Sequence, residues 1–123
     1  MKTIIAGSRN ITAAKSVEDA IKESGFEITE VVCGSARGVD TLGELWAKAN
    51  KIPVRYFPAE WKKFGLSAGH KRNAQMAEYA EALILVWDGR SKGSKSMRDL
   101  AEKTAEKRSF KIYEKKIVVS PRR

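Results

Sequence analysis

The sequence predicts an α/β domain in which a doubly wound, mainly parallel sheet of five strands carries helices on both faces. Three observations predict it. Short apolar runs alternate along the chain with longer segments whose apolar residues recur at helical spacing. One run, Ala82 to Trp87, is apolar at every position, as a strand covered on both faces must be. Stretches rich in glycine and serine follow the apolar runs near Gly7, Gly34 and Asp88, where the loops of such a sheet build a crevice, and right-handed crossovers then put helices on both faces.

Lys2 to Ala6 reads as the first, central strand, delivering Gly7-Ser8-Arg9 at its end. Asn10 or Thr12 is placed to cap a helix with Ala13, Val17, Ala20 and Ile21 on its inner face and Gly25 as a left-handed stop. Phe26 to Cys33 is the second strand. The second helix carries Val39, Leu42, Leu45, Trp46 and Ala49 inward, with Lys48 and Lys51 near its carboxyl end, where cations suit the dipole. Pro53 to Phe57 is a third strand, and Pro53 and Pro58 place it at an edge. Glu60 to Gly65 then interleaves Trp61 and Phe64 with Lys62 and Lys63, a pattern that serves either as a packed lid or as a platform that stacks a base and steers phosphate.

From Ser67 the spacing is helical, with Asn73, Met76, Ala77 and Ala80 on one face and His70, Lys71 and Arg72 crowding the first turns. Ala82 to Trp87 is the fourth strand, central beside the first, and it runs into Asp88-Gly89-Arg90-Ser91-Lys92-Gly93-Ser94. Ser96 with Asp99 has the spacing of a capping box, and Met97, Leu100, Ala101 and Thr104 form the buried stripe of the last helix. Phe110 to Val119 is a long or broken fifth strand, followed by the basic tail Ser120-Pro121-Arg122-Arg123.

A chain of 123 residues with no repeat or linker reads as one domain over 1–123, able to bury roughly two thirds of its unfolded surface. The single cysteine rules out an internal disulfide framework. No leader pattern surrounds Met1-Lys2-Thr3-Ile4 and no apolar run approaches the ~18 residues of a membrane span, so the expectation is a cytoplasmic protein. A net charge of +9 favours polyanionic partners, although lysines spread over solvated helices give the same total.

The chemistry concentrates in Val31 to Asp40, an apolar strand running into a glycine-bracketed loop that opens a helix. Unpaired amides at a helix start face outward, toward negative charge, and Arg37 adds a full positive charge inside the loop. The loop is neither a Walker loop nor a Gly-x-Gly-x-x-Gly motif, which speaks against ATP hydrolysis and NAD chemistry. Arg37 is the first residue to assign to a phosphate; the other role open to it, and to Arg9, is an exposed cation bonding nearby carboxylates. Asp88 either contacts ligand or caps the amides of its own loop. Ser91, Gly93 and Ser94 offer hydroxyls and bare amides to a second phosphate. Cys33 and the lone His70 make neither a metal set nor a thiol nucleophile, so no metal is expected.

Ser35-Ala36-Arg37-Gly38-Val39-Asp40, with Gly7-Ser8-Arg9 before it and Trp87-Asp88-Gly89 and Gly93-Ser94 after it, resembles the SLOG superfamily of Smf/DprA and LOG relatives. The likeness is nearest to the small YspA-type, cpYpsA-related members and covers almost the whole chain. It implies a Rossmann-like domain with strand order 3-2-1-4-5 and a site built from Gly7, Ser8 and Arg9, from Gly34, Ser35, Arg37, Gly38 and Asp40, and from Asp88, Gly89, Ser91, Gly93 and Ser94. Arg72 and Asn73 stand beside them and Trp61 is the candidate for base stacking. The ligand implied is a nucleotide or nucleotide-derived small molecule, with no other cofactor, and the superfamily's habit implies a homodimer. Two alternatives follow from other branches. LOG-type enzymes cleave the N-glycosidic bond of nucleoside monophosphates with a Pro-Gly-Gly-x-Gly-Thr-x-x-Glu loop. Here Gly93-Ser94-Lys95-Ser96 matches its Gly-Thr-x-x part and Met97 takes the place of the glutamate, so Asp88 is the catalytic candidate if there is one. DprA proteins bind single-stranded DNA with a loop similar to Ala36 to Asp40, and weak nucleic-acid association is expected from the charge alone.

Overall fold

The computed structural model describes residues 1–118. In chain order its elements are β1 (Lys2–Gly7), α1 (Ala14–Ser24), β2 (Glu30–Cys33), α2 (Val39–Ala49), β3 (Val54–Tyr56), the single turn α3 (Trp61–Phe64) with a 3-10 turn at Gly65–Ser67, α4 (Ala68–Tyr79), β4 (Ala82–Trp87), α5 (Lys92–Lys107) and β5 (Lys111–Lys116). The five strands form one all-parallel sheet in the order β3-β2-β1-β4-β5.

Alternation along the strands divides the core in two. Ile4 and Ala6 of β1 with Leu83, Leu85 and Trp87 of β4 pack against Met76 and Ala77 of α4 and Met97 and Ala101 of α5. Ile5, Ile84 and Val86 turn to the opposite face, against Val17, Ala20 and Ile21 of α1 and Val39 and Ala47 of α2. Every residue of β4 is buried, as its unbroken apolar run requires. Winding reverses between β1 and β4, so the loops after β1, β2 and β4 open on one crevice at the carboxyl edge of the sheet.

Several local expectations are corrected. The β2 ladder starts at Glu30 rather than Phe26: Glu30 pairs with Lys2, and before it only Met1 remains, which takes the Thr29 amide at its carbonyl (3.0 Å) and donates its amino group to the Glu27 carbonyl (2.7 Å). Ala13 stands at the cap of α1 without a side-chain bond; Asn10 is drawn away to Asp88 and exposed Ala13 cedes the core to Ile11, 4% exposed. The inner stripe of α2 is Val39, Gly43 and Ala47, with Leu42 and Trp46 half-buried, while Leu45 and Ala49 face outward. Gly43 sets that rotation: a Cβ there would stand 2.7 Å from Ile5 Cγ2, so the helix lies close on β1 only through its small residues. The last helix starts at Lys92, earlier than the Ser96–Asp99 box; Ser91 is its cap, its Oγ accepting from the Ser94 amide at 3.4 Å, and Asp99 pairs instead with Lys95. Gly93 and Ser94 therefore belong to the first turn of α5 and not to the loop. Phe110 precedes β5, and Val119 with the basic tail lies outside the described residues. No described helix is long and apolar enough to cross a membrane.

Candidate functional site

Ser8 fastens the three loops together. Buried to 1% exposure, it donates its amide to the Val86 carbonyl (3.1 Å), accepts at its own carbonyl from Val39 (3.3 Å) and Ile11 (3.4 Å), and accepts at Oγ from the Asp88 amide (3.0 Å). The start of α2 thus hangs on the first loop, and Gly38, at φ 75°, is where it turns; a Cβ there would lie 2.3 Å from the Ser8 carbonyl oxygen. Helix α4 supplies the second fastening. The Arg72 guanidinium donates to the Gly34 carbonyl and, through Nε at 2.9 Å, to Asn73 Oδ1. Asn73 in turn donates to the Gly93 carbonyl (3.3 Å) and to Ser96 Oγ (3.4 Å), tying the second loop to the first turn of α5.

Between these fastenings lies a chamber of about 240 Å³. Met76 and Met97 are buried at its apolar floor with Ala6, and its polar wall is formed by Arg9, Asp40, Arg72, Asn73, Ser91 and Ser94, with Gly7, Ala36 and Gly93 contributing backbone. A second hollow of about 370 Å³ adjoins it, lined by Gly34, Ser35, Arg37, Pro58, Ala59 and the half-exposed Trp61. Arg9, Ala36 and Arg72 line both.

The sequence-predicted residues sort by this geometry. Gly7, Arg9, Asp40, Arg72, Asn73, Ser91, Gly93 and Ser94 converge on the chamber. Gly34, Ser35, Arg37 and Trp61 line the outer hollow; Arg37 and Arg9 are both exposed, and of the two only Arg9 also lines the chamber. Gly38 borders only a shallow third hollow with Arg9 and Arg37. Ser8 is a fastener, and Asp88 serves its own loop, Oδ1 accepting from the amides of Arg90 (2.8 Å) and Ser91 (3.0 Å) and Oδ2 from Asn10 (3.3 Å). Those bonds, the Arg90 amide first, hold its carboxyl below the usual range. Neither Asp88 nor Gly89 borders the chamber or the outer hollow. Cys33 is buried, which pushes its thiol up to about 11, and Sγ accepts from the Ser35 amide at 3.4 Å. The residues that sequence reasoning did not assign to the site are the apolar ones: Ala6, Ala36 and Met76, together with Pro58 and Ala59 of the outer hollow. Their spacing carried only the signal of core or turn.

Asp40 is the carboxyl inside the chamber. It is 5% exposed, its Oδ2 accepts from the Ala36 amide at 3.4 Å, and burial pushes it up to about 6 against the opposing pull of that amide and of the Arg72 charge. A carboxyl raised on folding makes the native state hold the extra proton between roughly pH 4 and pH 6, so its contribution is most favourable below that interval and stability falls as pH rises through it. Above it, Asp40 opposes folding by on the order of 2 to 3 kcal/mol. Asp40→Asn is therefore expected to be more stable than wild type in urea at pH 7.5 and no more stable at pH 4; a difference independent of pH would contradict the assignment.

An open parallel sheet whose loops after β1, β2 and β4 build a crevice at the reversal of winding defines a Rossmann-like domain, with the crevice where that architecture usually binds its ligands. Residues 1–64, more than half of the chain and including the loops at Gly7 and Gly34, match the YspA, cpYpsA-related SLOG family model, and the chain belongs to that family. No curated protein and no solved structure matches the chain.

Proposed function

We propose that this protein binds a nucleotide or nucleotide-derived small molecule in the crevice and acts as a sensor, carrier or sink for it. Family membership supports nucleotide-related binding in general terms. The observation that carries the reading is the convergence on one chamber of two arginines, Arg9 and Arg72, with the first turn of a sixteen-residue helix that presents Ser91 and Ser94. Cations and a helix start aimed at one space favour a phosphate there, and Arg matches its geometry in a way that Lys does not.

Binding is preferred to N-glycoside hydrolysis because hydrolysis needs a carboxylate at the anomeric carbon. Met97 forms apolar floor where that carboxylate would stand, and Asp88 is occupied with its own loop. Asp40 does reach the chamber, but it holds the Ala36 amide. Release of free base from AMP, GMP, CMP or UMP at an enzymatic rate would overturn this preference.

Calorimetric titration with a panel of nucleotides tests the proposal. Arg9→Ala is expected to weaken binding about tenfold to over a hundredfold, the loss of a charge-assisted bond of ~1.5 to 3 kcal/mol, whereas Arg37→Ala, outside the chamber, costs only a few-fold. Equal losses at both positions would move the phosphate to the outer hollow.

A further inference from the structure

We propose, resting on the nucleotide-binding reading above, that the phosphate-bearing ligand is bound together with one proton, which Asp40 holds in the complex, so that affinity falls as pH rises. Three charged residues line the chamber: Arg9, Arg72 and Asp40. A phosphate drawn there by the two arginines and the α5 start therefore shares the space with a carboxyl. In a chamber of about 240 Å³ the two acidic groups stand within roughly a Debye length, about 8 Å at physiological salt, and a buried pair is screened less than that length implies. An ionised Asp40 repels the ligand. A protonated one donates its O–H to a phosphate oxygen.

The surroundings of Asp40 leave that repulsion standing. Among the described residues it forms no ion pair. A Cβ on Gly34 would meet Arg72 Nη1 and Asp40 Oδ2, each at 2.8 Å, so the two side chains flank Gly34 without pairing, and the guanidinium is engaged with the Gly34 carbonyl and Asn73 Oδ1. From the other elements around the chamber come the exposed Arg9, the Asn73 amide of α4 and the uncharged hydroxyls of Ser91 and Ser94. Behind Asp40, the Cys33 thiol, neutral because burial pushes it up to about 11, donates to the Asp40 carbonyl at 3.7 Å. One turn along α2, Glu44 is held by Tyr56 (2.6 Å) and Lys48 (3.0 Å). Asp40 Oδ2 accepts from the Ala36 amide, and no hydrogen bond from a described residue reaches Oδ1, the oxygen left to carry the proton. Burial puts this carboxyl at about 6 before any ligand adds its charge, and an anion beside it moves it further up. The complex then holds a proton that the free protein has released at neutral pH, so affinity is greatest below about pH 6 and declines above it.

Calorimetry with AMP and ADP between pH 5 and pH 8, on wild type and Asp40→Asn, tests this. The variant keeps a neutral donor at every pH, and the ratio of the two affinities cancels the titration of the ligand's own phosphates. Relative to the variant, wild type is expected to lose about tenfold or more in affinity across that interval, the effect of a carboxyl raised by roughly one pH unit or more on binding. The carboxyl carbon resonance of Asp40 in the wild-type protein reads the same event without a substitution, and saturating nucleotide is expected to move its titration midpoint upward by about one pH unit or more. An affinity ratio that stays constant from pH 5 to pH 8, or an Asp40 midpoint that nucleotide leaves in place or lowers, overturns the proposal and leaves nucleotide binding intact. No binding at any pH by AMP, ADP or their guanosine, cytidine and uridine counterparts overturns both.

Discussion

Gly7→Ala is expected to remove a large part of the chain's stability at 25 °C. Gly7 ends β1 opposite Val86 of β4, and a Cβ there would stand 1.7 Å from the Val86 carbonyl oxygen, 2.7 Å from its carbon and 2.9 Å from Val39 Cγ2. Two of the three obstacles are backbone, which no rotamer change can move aside. Relief requires prising apart the central pair of strands or lifting α2 from the sheet, at a cost of more than about 4 kcal/mol against a total stability of ~5 to 15 kcal/mol for a domain of this kind. Far-ultraviolet circular dichroism and a urea midpoint check it. Gly93→Ala is the internal comparison, since open space at that position and the better helix propensity of alanine make it neutral or stabilising by up to ~1 kcal/mol. A folded Gly7→Ala of near wild-type stability would contradict the close approach of β1 to β4 that aligns the three loops.

Arg72→Met carries the second large effect, because it removes one of the chamber's two arginines and the tie between two loops at once. The Gly34 carbonyl and Asn73 Oδ1 lose their donor, and Asp40 loses the positive charge that favours its ionised form. A buried acceptor left unpaired costs roughly 1 to 3 kcal/mol, and the loss should be larger at pH 8, where Asp40 is charged, than at pH 5. Nucleotide affinity is expected to fall at least a hundredfold, since the remaining donors are also displaced. Arg72→Lys separates the two contributions: a point charge retained without the planar fork should restore part of the affinity and little of the loop geometry. Denaturation at both pH values and calorimetry on all three proteins measure these effects, and a stability loss that does not depend on pH would separate Arg72 from Asp40.

Legibility in the sequence followed the kind of physics each element depends on. β4 was readable because burial on both faces leaves no polar position in Ala82–Trp87, and the glycine-rich loops were readable because their residue types tolerate sharp turns. The turn of α2 on its axis was not readable. Leu45 and Trp46 outweigh Gly43 and Ala47 in hydrophobicity, and only the contact with Ile5 makes the small residues the inner ones. The start of α5 was misjudged for a related reason: two serine caps, Ser91 and Ser96, compete in the sequence, and the contacts of Ser96 with His70 and Asn73 are long-range. Within the site, the sequence offered Arg37 as the leading cation because it sits inside the motif. Whether Arg9 or Arg37 lines the chamber depends on how the first loop hangs on α2 through the Ser8 carbonyl, a tertiary bond with no local signature.

The most direct test of nucleotide binding in this crevice is an amide chemical-shift titration of the isotope-labelled protein with whichever nucleotide calorimetry finds to bind tightest. The account predicts that the perturbed amides cluster at Gly7 to Arg9, Ala36, Asn73 and Ser91 to Ser94, segments distant in sequence that meet at the chamber. Shifts concentrated instead in the groove between α1 and α2, around Ile21, Leu45 and Trp46, or no saturable shifts with any nucleotide, would contradict it.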